Sequence, residues 1–356
     1  MKIVAHTRPF VIGVDAHART HALAILACPT AEILDQRQFP ATAAGLARAV
    51  GWVTRRTGAD LDALWVVEGV ATYGARLARA AADAGFDVVE APRMNARADR
   101  GVGKSDLLDA RRIAQAALPL DDAQLRRPRS DEGARAALRI LIASRDHISN
   151  ERTAAINALI ALLRVVNLGV DARGALSAGQ ITAIAAWRSR TEELSIGVAR
   201  AEAIRLAKRV RAADKELGDL TRQMTALLEA TPAADLLDKP GIGPVTAAIA
   251  YAAWSHPGRV RSEAAFASLA GVNPIPASSG NTVRHRINRG GDRRLNRALH
   301  MAVVTRMRMD PETRAYVAKR TAQGRTPREI RRSLKRYLAR QIYRQLNAAN
   351  TPAAAA

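Results

Sequence analysis

The sequence predicts an α/β amino-terminal domain followed by a helical remainder, and three observations carry that prediction. Short apolar runs bounded by turn residues come first as a trio, then alternate with helix-spaced segments. Strand signals vanish between residues 130 and 230. From Ile196 apolar residues recur at three- and four-residue steps, at Ala199, Ala203, Leu206, Val210, Ala213, Leu217, Leu220, Met224 and Leu227.

"FVIGVDAHARTHALAILACP" reads as two strands around a turn, with Val11, Ile12 and Val14 in one run and Ala22 to Leu26 in the other. "EILDQRQFPAT" alternates enough for a third strand. "AAGLARAVGWVTRRTG" has helical spacing and stops at Gly58. "ALWVVEGV" is a strand ending in Glu68, "YGARLARAAADAG" a helix stopping at Gly85, and "FDVVEAP" a fifth strand. The helix of "KSDLLDARRIA" follows. A meander followed by βα units makes a mixed sheet with helices packed on it.

Beyond residue 130 a helix over about 131–165 carries Leu138, Leu141, Ile148, Leu159 and Leu162. With the seam after Ile196 it predicts a coiled coil. The two helices can fold back as an antiparallel hairpin. Pairing between subunits is the favoured expectation. A third region begins near Ala233, with "LLDKPGIGPVTAAIAYA" between helical segments. The rest is basic and helical, and ends in "TPREIRRSLKRYLARQIYRQL". There Thr326 and Glu329 form a capping box, with Pro327 at the first helical position. The tail "NAANTPAAAA" is expected to fray.

The bulk numbers narrow the function. The 356 residues, 48% of them hydrophobic, suffice for two domains with their own cores. Aromatics are only 4%, so those cores must be built from Ala, Leu, Val and Ile. The chain has 55 basic against 33 acidic residues and a net charge of +22, which favours a polyanionic partner. A GC-rich genome explains Arg over Lys but not the excess of basic residues. Cys28 is the only cysteine, which excludes a disulfide framework and a cysteine zinc site within one chain. Asp15 and Arg19 interrupt the first apolar stretch, so neither a signal peptide nor a membrane span is expected and the location is cytoplasmic.

The acids carry the chemistry. Asp15 ends the first strand, Glu68 ends the fourth, and Asp106 and Asp109 lie three apart on the helix after the fifth. If the first and fourth strands are neighbours, the four converge. Their repulsion then calls for cations, and hard oxygen ligands suit Mg2+ or Mn2+. Such ions clamp the reacting oxygens of a phosphodiester. Singly, each acid is an ordinary turn or solvated residue. A sugar-kinase-type ATPase also has an aspartate after its first strand, but "VDAHART" lacks the glycine turn that follows there. His17 and His21 read as turn or sheet residues, Trp65 and Trp254 as core, and His285 and His300 as additions to a basic surface.

The pattern "GVDAHA…VVEGVATYG…KSDLLDARRIA" resembles the RuvC-like domain of the DEDD transposases of the insertion-sequence one-ten family. Characterised relatives there are RNA-guided bridge recombinases, with pilin-type DNA invertases as cousins. The family's four acidic positions fall on Asp15, Glu68, Asp106 and Asp109. The resemblance implies an RNase H-like fold and magnesium at the acids.

"KPGIGPVTA" has the form of a helix-hairpin-helix turn, in which Gly241 and Gly243 let backbone amides approach a phosphate. "LAGVNPIPASSGNTVRHRINRGGDRRLNRALH" clusters Arg284, Arg286, Arg289, Arg293, Arg294 and Arg297, a natural phosphate-binding set. This block also resembles the carboxy-terminal transposase domain of the same family, whose serine maps onto Ser279, with the adjacent Ser278 as alternative. The resemblance implies a phosphoserine link to DNA and a composite site with acids and serine from different subunits of a tetramer. It also implies donor and target DNA as substrates and a guide RNA from the element.

The expected fold class is therefore α/β plus α. Residues 1–128 form an RNase H-like (RuvC-like) mixed sheet with helices. Residues 129–232 form long coiled-coil helices. Residues 233–346 form a helical transposase domain with a helix-hairpin-helix motif and the serine, and 347–356 a disordered tail. The expected function is a serine recombinase of a bacterial insertion sequence, working as a dimer or tetramer. Its rivals are a water-using RuvC-type nuclease or junction resolvase, and a non-catalytic nucleic-acid-binding protein.

Overall fold

A strand buried on both faces, β1 (Phe10–Ala16), organises the amino-terminal part of the computed structural model, which describes residues 2–92, 105–129, 132–278 and 285–348. The chain divides into two compact units, Met1–Arg129 and Ser130–Ala356. In the first, a one-turn helix α1 (Val4–Thr7) precedes β1. β1 pairs antiparallel with β2 (Thr20–Ala27), and β2 with β3 (Glu32–Pro40). Then come α2 (Ala43–Arg56), β4 (Leu64–Val67), α3 (Ala75–Asp83), β5 (Asp87–Glu90) and α4 (Asp106–Ala117). β4 lies parallel to β1 and β5 parallel to β4, giving the order β3-β2-β1-β4-β5. This is the mixed sheet that the meander and βα units predict.

Successive side chains of a strand face opposite ways. Ile12 and Val14 join Trp52 and Val53 of α2 and Leu77 of α3 on one face. Val11 joins Ile113, Ala114 and Ala117 of α4 on the other. With both faces covered, the central strands carry unbroken apolar runs rather than alternation. Trp65 is fully buried and its ring centroid lies 5.7 Å from that of Phe86. Cys28 is half-buried, and burial pushes its thiol up.

In the second unit α5 (Gly133–Val165) and α7 (Leu194–Glu229) run antiparallel. Leu159 and Leu163 share a core with Ala203 and Leu206, while Leu138 and Ile142 meet Met224 and Leu228. Arg152 bridges to Asp214 across the pair at 2.5 Å. α6 (Ala178–Ala185), opened by a Ser177–Gln180 capping box, packs on α7 in the same core as Leu159. The seam at Ala199, Ala203, Leu206, Val210 and Ala213 is buried. Ala199 through Val210 pack in the cluster that includes Ala155, Leu159 and Leu163 of α5. The sequence favoured pairing between subunits; within the chain α5 and α7 form the antiparallel hairpin, the other arrangement the sequence allowed. α5 presents a matching apolar stripe, and the connection after Val165 lets it fold back.

A 3-10 turn (Ala234–Leu236) and α8 (Pro244–Trp254), α9 (Glu263–Leu269), α10 (Arg293–Met309), α11 (Pro311–Ala322) and α12 (Pro327–Ala348) complete the unit. Trp254 is buried in one cluster with Leu138 of α5, Met224 of α7, Phe266 of α9, Leu299 of α10 and Ile342 of α12. The core is therefore continuous across the boundary expected at 232. Between α9 and α10, β6 (Pro274–Pro276) pairs antiparallel with β7 (His285–Ile287), a hairpin that the sequence did not predict. A two-stranded ribbon is all edge, so it tolerates both prolines. The expected capping box of α12 is present, with Thr326 N donating to Glu329 Oε2 at 2.9 Å and Glu329 N to Thr326 Oγ1 at 3.3 Å.

Candidate active site

Asp15 has the β1 parity of Val11 and Gly13, so it belongs to the face that α4 covers. Asp15 pairs with Ala22 on β2, and Ala22 with Gln38 on β3, making one row across the sheet. α4 crosses above this row because Gly13 has no side chain. A Cβ there would stand 2.0 Å from the Ala110 carbonyl oxygen. Small residues continue the contact, with Ala22 and Ala24 packed on Ala110. Ser105 caps α4 by accepting from Leu108 N at 3.3 Å. Asp106 and Asp109 fall in its first turn, where the helix dipole favours negative charge.

Asp15, only 9% exposed at its side chain, accepts a 3.0 Å bond at Oδ2 from His17 Nε2. The same nitrogen lies 3.5 Å from Asp106 Oδ1, and Gln38 Nε2 donates to Asp106 Oδ2 at 3.4 Å. Ligand atoms of Asp15, His17 and Asp106 all lie within 4.8 Å of one another. Burial raises the proton affinity of Asp15. The His17 contact opposes this, and the charges of Asp106 and Asp109 add to it.

Three of the four predicted acids thus act on one another, and His17 joins them. The sequence placed His17 as a turn or sheet residue. It does follow β1 directly, but it touches two carboxylates, a contact set by α4 and therefore invisible in the local pattern. His21 is the buried sheet residue expected, and burial, His17 and Arg76 hold its imidazole below the usual range. Asp109 also pairs with Arg112 at 3.0 Å. Glu68 follows β4, its N–H donating to the Val14 carbonyl at 3.0 Å, and it is exposed. It lies beside the end of β1 in the sheet but outside the three-residue cluster. The donor set fits a divalent cation, because like charges crowd Asp15 and two carboxylates with an imidazole converge within coordination reach.

In the second unit Gly241 has φ +73°, and a Cβ there would come within 2.6 Å of the Ala302 oxygen of α10. Arg306 Nε donates to the Pro240 carbonyl at 2.6 Å and pins the turn. Gly243 is the N-cap of α8, and nothing lies within 4 Å of where its Cβ would be. What precedes the turn is the three-residue 3-10 element rather than the full helix expected for a helix-hairpin-helix. Arg294 and Arg297 share Asp146 of α5, at 2.8 Å and 3.2 Å, so both help hold α10 on α5. Arg286, Arg289, Arg293 and Arg297 line a cavity of about 630 Å³, whose other wall is α12 with Arg332, Lys335 and Arg336. That wall escaped the sequence reading, since nothing local ties α12 to the hairpin. Ser278 is exposed just past β6, and Ser279 and Arg284 lie outside the described residues.

Two family models match the chain in the order the motifs predict. One, the DEDD transposase model of the IS110 type, covers residues 12–167, which include all four acids and His17. The other, the transposase model of the IS116/IS110/IS902 family, covers residues 233–318. The chain belongs to the IS110 family of transposases. Members of transposase families cleave and rejoin DNA. The chain is similar to an uncharacterized 43.6 kDa protein of insertion element IS110 from Streptomyces coelicolor, 34% identical over 123 residues. That match spans 34% of the chain and 30% of the relative. It is also similar to an uncharacterized 42 kDa protein of insertion element IS900 from Mycobacterium paratuberculosis, at 27% identity over 89% of the chain and 90% of the relative. Among the described residues no helix is long and apolar enough to cross a membrane.

Proposed function

We propose that this IS110-family chain is the transposase of an insertion element, cleaving and rejoining DNA strands through a serine nucleophile together with a divalent-metal site, with a guide RNA from the element choosing the sites. The observation that carries the reading is the convergence of Asp15, His17 and Asp106 under the first turn of α4. Asp15, Glu68, Asp106 and Asp109 would hold Mg2+ or Mn2+, with His17 as a further donor beside Asp15 and Asp106. When bound, the cation neutralises charge on the reacting oxygens of a phosphodiester.

The chain's own groups do the rest. Ser279 Oγ attacks phosphorus and gives up its proton, and a deoxyribose hydroxyl leaves. The phosphoserine link conserves the phosphodiester for rejoining. The arginines of β7 and α10, and the open amides at the start of α8 behind Gly243, hold backbone phosphates. Protein contacts of this kind read backbone, which leaves sequence to RNA pairing. Neutralising part of the chain's +22 charge on nucleic acid favours binding in an oligomer, as a dimer or tetramer.

The test is a denaturing gel of the protein incubated with element-end DNA and Mg2+. A covalent protein–DNA band is expected from the native chain and from Ser278→Ala, and none from Ser279→Ala. Full recombination by Ser279→Ala would instead favour a water-using nuclease.

A further inference from the structure

The cavity beside the β6–β7 hairpin gathers positive charge that its own lining does not balance, although Arg297 pairs with Asp146 outside that lining. Arg286 comes from β7, Arg293 and Arg297 from α10, and Arg332, Lys335 and Arg336 from α12. None of the described residues lining it is acidic. Lys335 is half-buried among them. Its Nζ donates to Asn296 Oδ1 at 2.9 Å, and the amide is oriented by Nδ2 donating to the Ala270 carbonyl at 2.7 Å. The other ammonium hydrogens find no acceptor among the described residues. Burial and the charges of Arg332 and Arg331 push Lys335 below the usual lysine range, a cost that an arriving anion removes.

We propose that this cavity is a phosphodiester-binding site in which Lys335, positioned by Asn296, takes one backbone phosphate, so that α12 forms half of the nucleic-acid surface. A single phosphate would leave most of this charge unmatched, while a strand brings successive phosphates to all three elements. The α12 wall lies beyond residue 318, where the matched family region stops. A compact ammonium suits one phosphate oxygen, whereas the flanking guanidinium groups grip bidentately. The proposal rests on the reading of the chain as a nucleic-acid enzyme.

The test is binding of the full chain to a mixed-sequence DNA duplex, and separately to an RNA hairpin, as salt is raised. Lys335→Met should weaken binding several-fold and lower the slope of log K against log salt by about 0.9 for DNA, the value of one lost phosphate contact. Lys335→Arg should keep the slope, and Lys319→Met on the exposed face of α11 should change neither quantity. The arm that responds identifies the strand in the cavity. An unchanged slope for Lys335→Met in both arms overturns the proposal. A native chain that binds neither nucleic acid overturns the proposed function as well. Should Lys335→Met fold poorly, acetylation of the native protein decides: nucleic acid should shield Lys335 and spare Lys319, and equal labelling of Lys335 with and without nucleic acid overturns the site.

Discussion

Asp15 carries a cost that its surroundings explain. It sits in a strand with both faces covered, and Asp106 and Asp109 face it from α4. Its folded proton affinity is raised, so the bound proton stabilises the fold. That contribution is complete below the ordinary aspartate value of about 3.9 and is lost as pH rises through the raised value. Above that value the metal-free protein bears an ionised carboxylate crowded by Asp106 and Asp109. Asp15→Asn should raise the melting temperature of the metal-free protein at pH 7, by about 2–4 °C for each kcal/mol relieved. It should also abolish the rise that Mg2+ or Mn2+ gives the native chain. Thermal melts with and without metal check both, and a lower melting point for Asp15→Asn without metal would contradict the electrostatic account. The acids were legible in the sequence because each sits at a strand end or on a helix turn. His17 was not, because its two partners are fixed by α4 packing across the sheet.

At the scale of elements, the site exists because α4 lies on β1 at Gly13. Small residues at Gly13, Ala22, Ala24 and Ala110 bring a helix backbone against a sheet. Gly13→Ala would drive a methyl into the Ala110 carbonyl, and overpacking of this kind costs about 3 kcal/mol at the upper end of its usual range. The expected result is a lower urea midpoint together with loss of metal-induced stabilisation, because α4 must lift and carry Asp106 away from Asp15. Retained metal stabilisation in Gly13→Ala would show that α4 docks another way. The start of α12 was readable from Thr326, whose side chain satisfies an amide three residues on, whereas Ser105 and Ser177 cap α4 and α6 in the same way without having been singled out in the sequence. The β6–β7 ribbon was not readable, since three-residue strands holding two prolines carry no periodic signal.

At the scale of the molecule, each unit closes its own core, and the long helices belong to the second. Burial of the α7 seam inside the chain predicts that Leu159→Ala costs about 2–5 kcal/mol, as for a well-packed core leucine. The loss should not depend on protein concentration. Cysteines introduced on the facing sides of α5 and α7 should cross-link within one chain, and cross-links that join two chains instead would place the seam between subunits. The sequence by itself determined the strand and helix order, the mixed sheet and the basic character, because each rests on residue type at short spacing, and it carried the family through motifs that resemble it. Only the tertiary structure decided that α5 and α7 pair with each other. It alone brought His17 to two carboxylates, left Glu68 outside their cluster, and set α12 opposite the arginines of β7 and α10. These are meetings of segments far apart in the chain, fixed by which apolar faces bury each other, and local spacing carries no record of that choice.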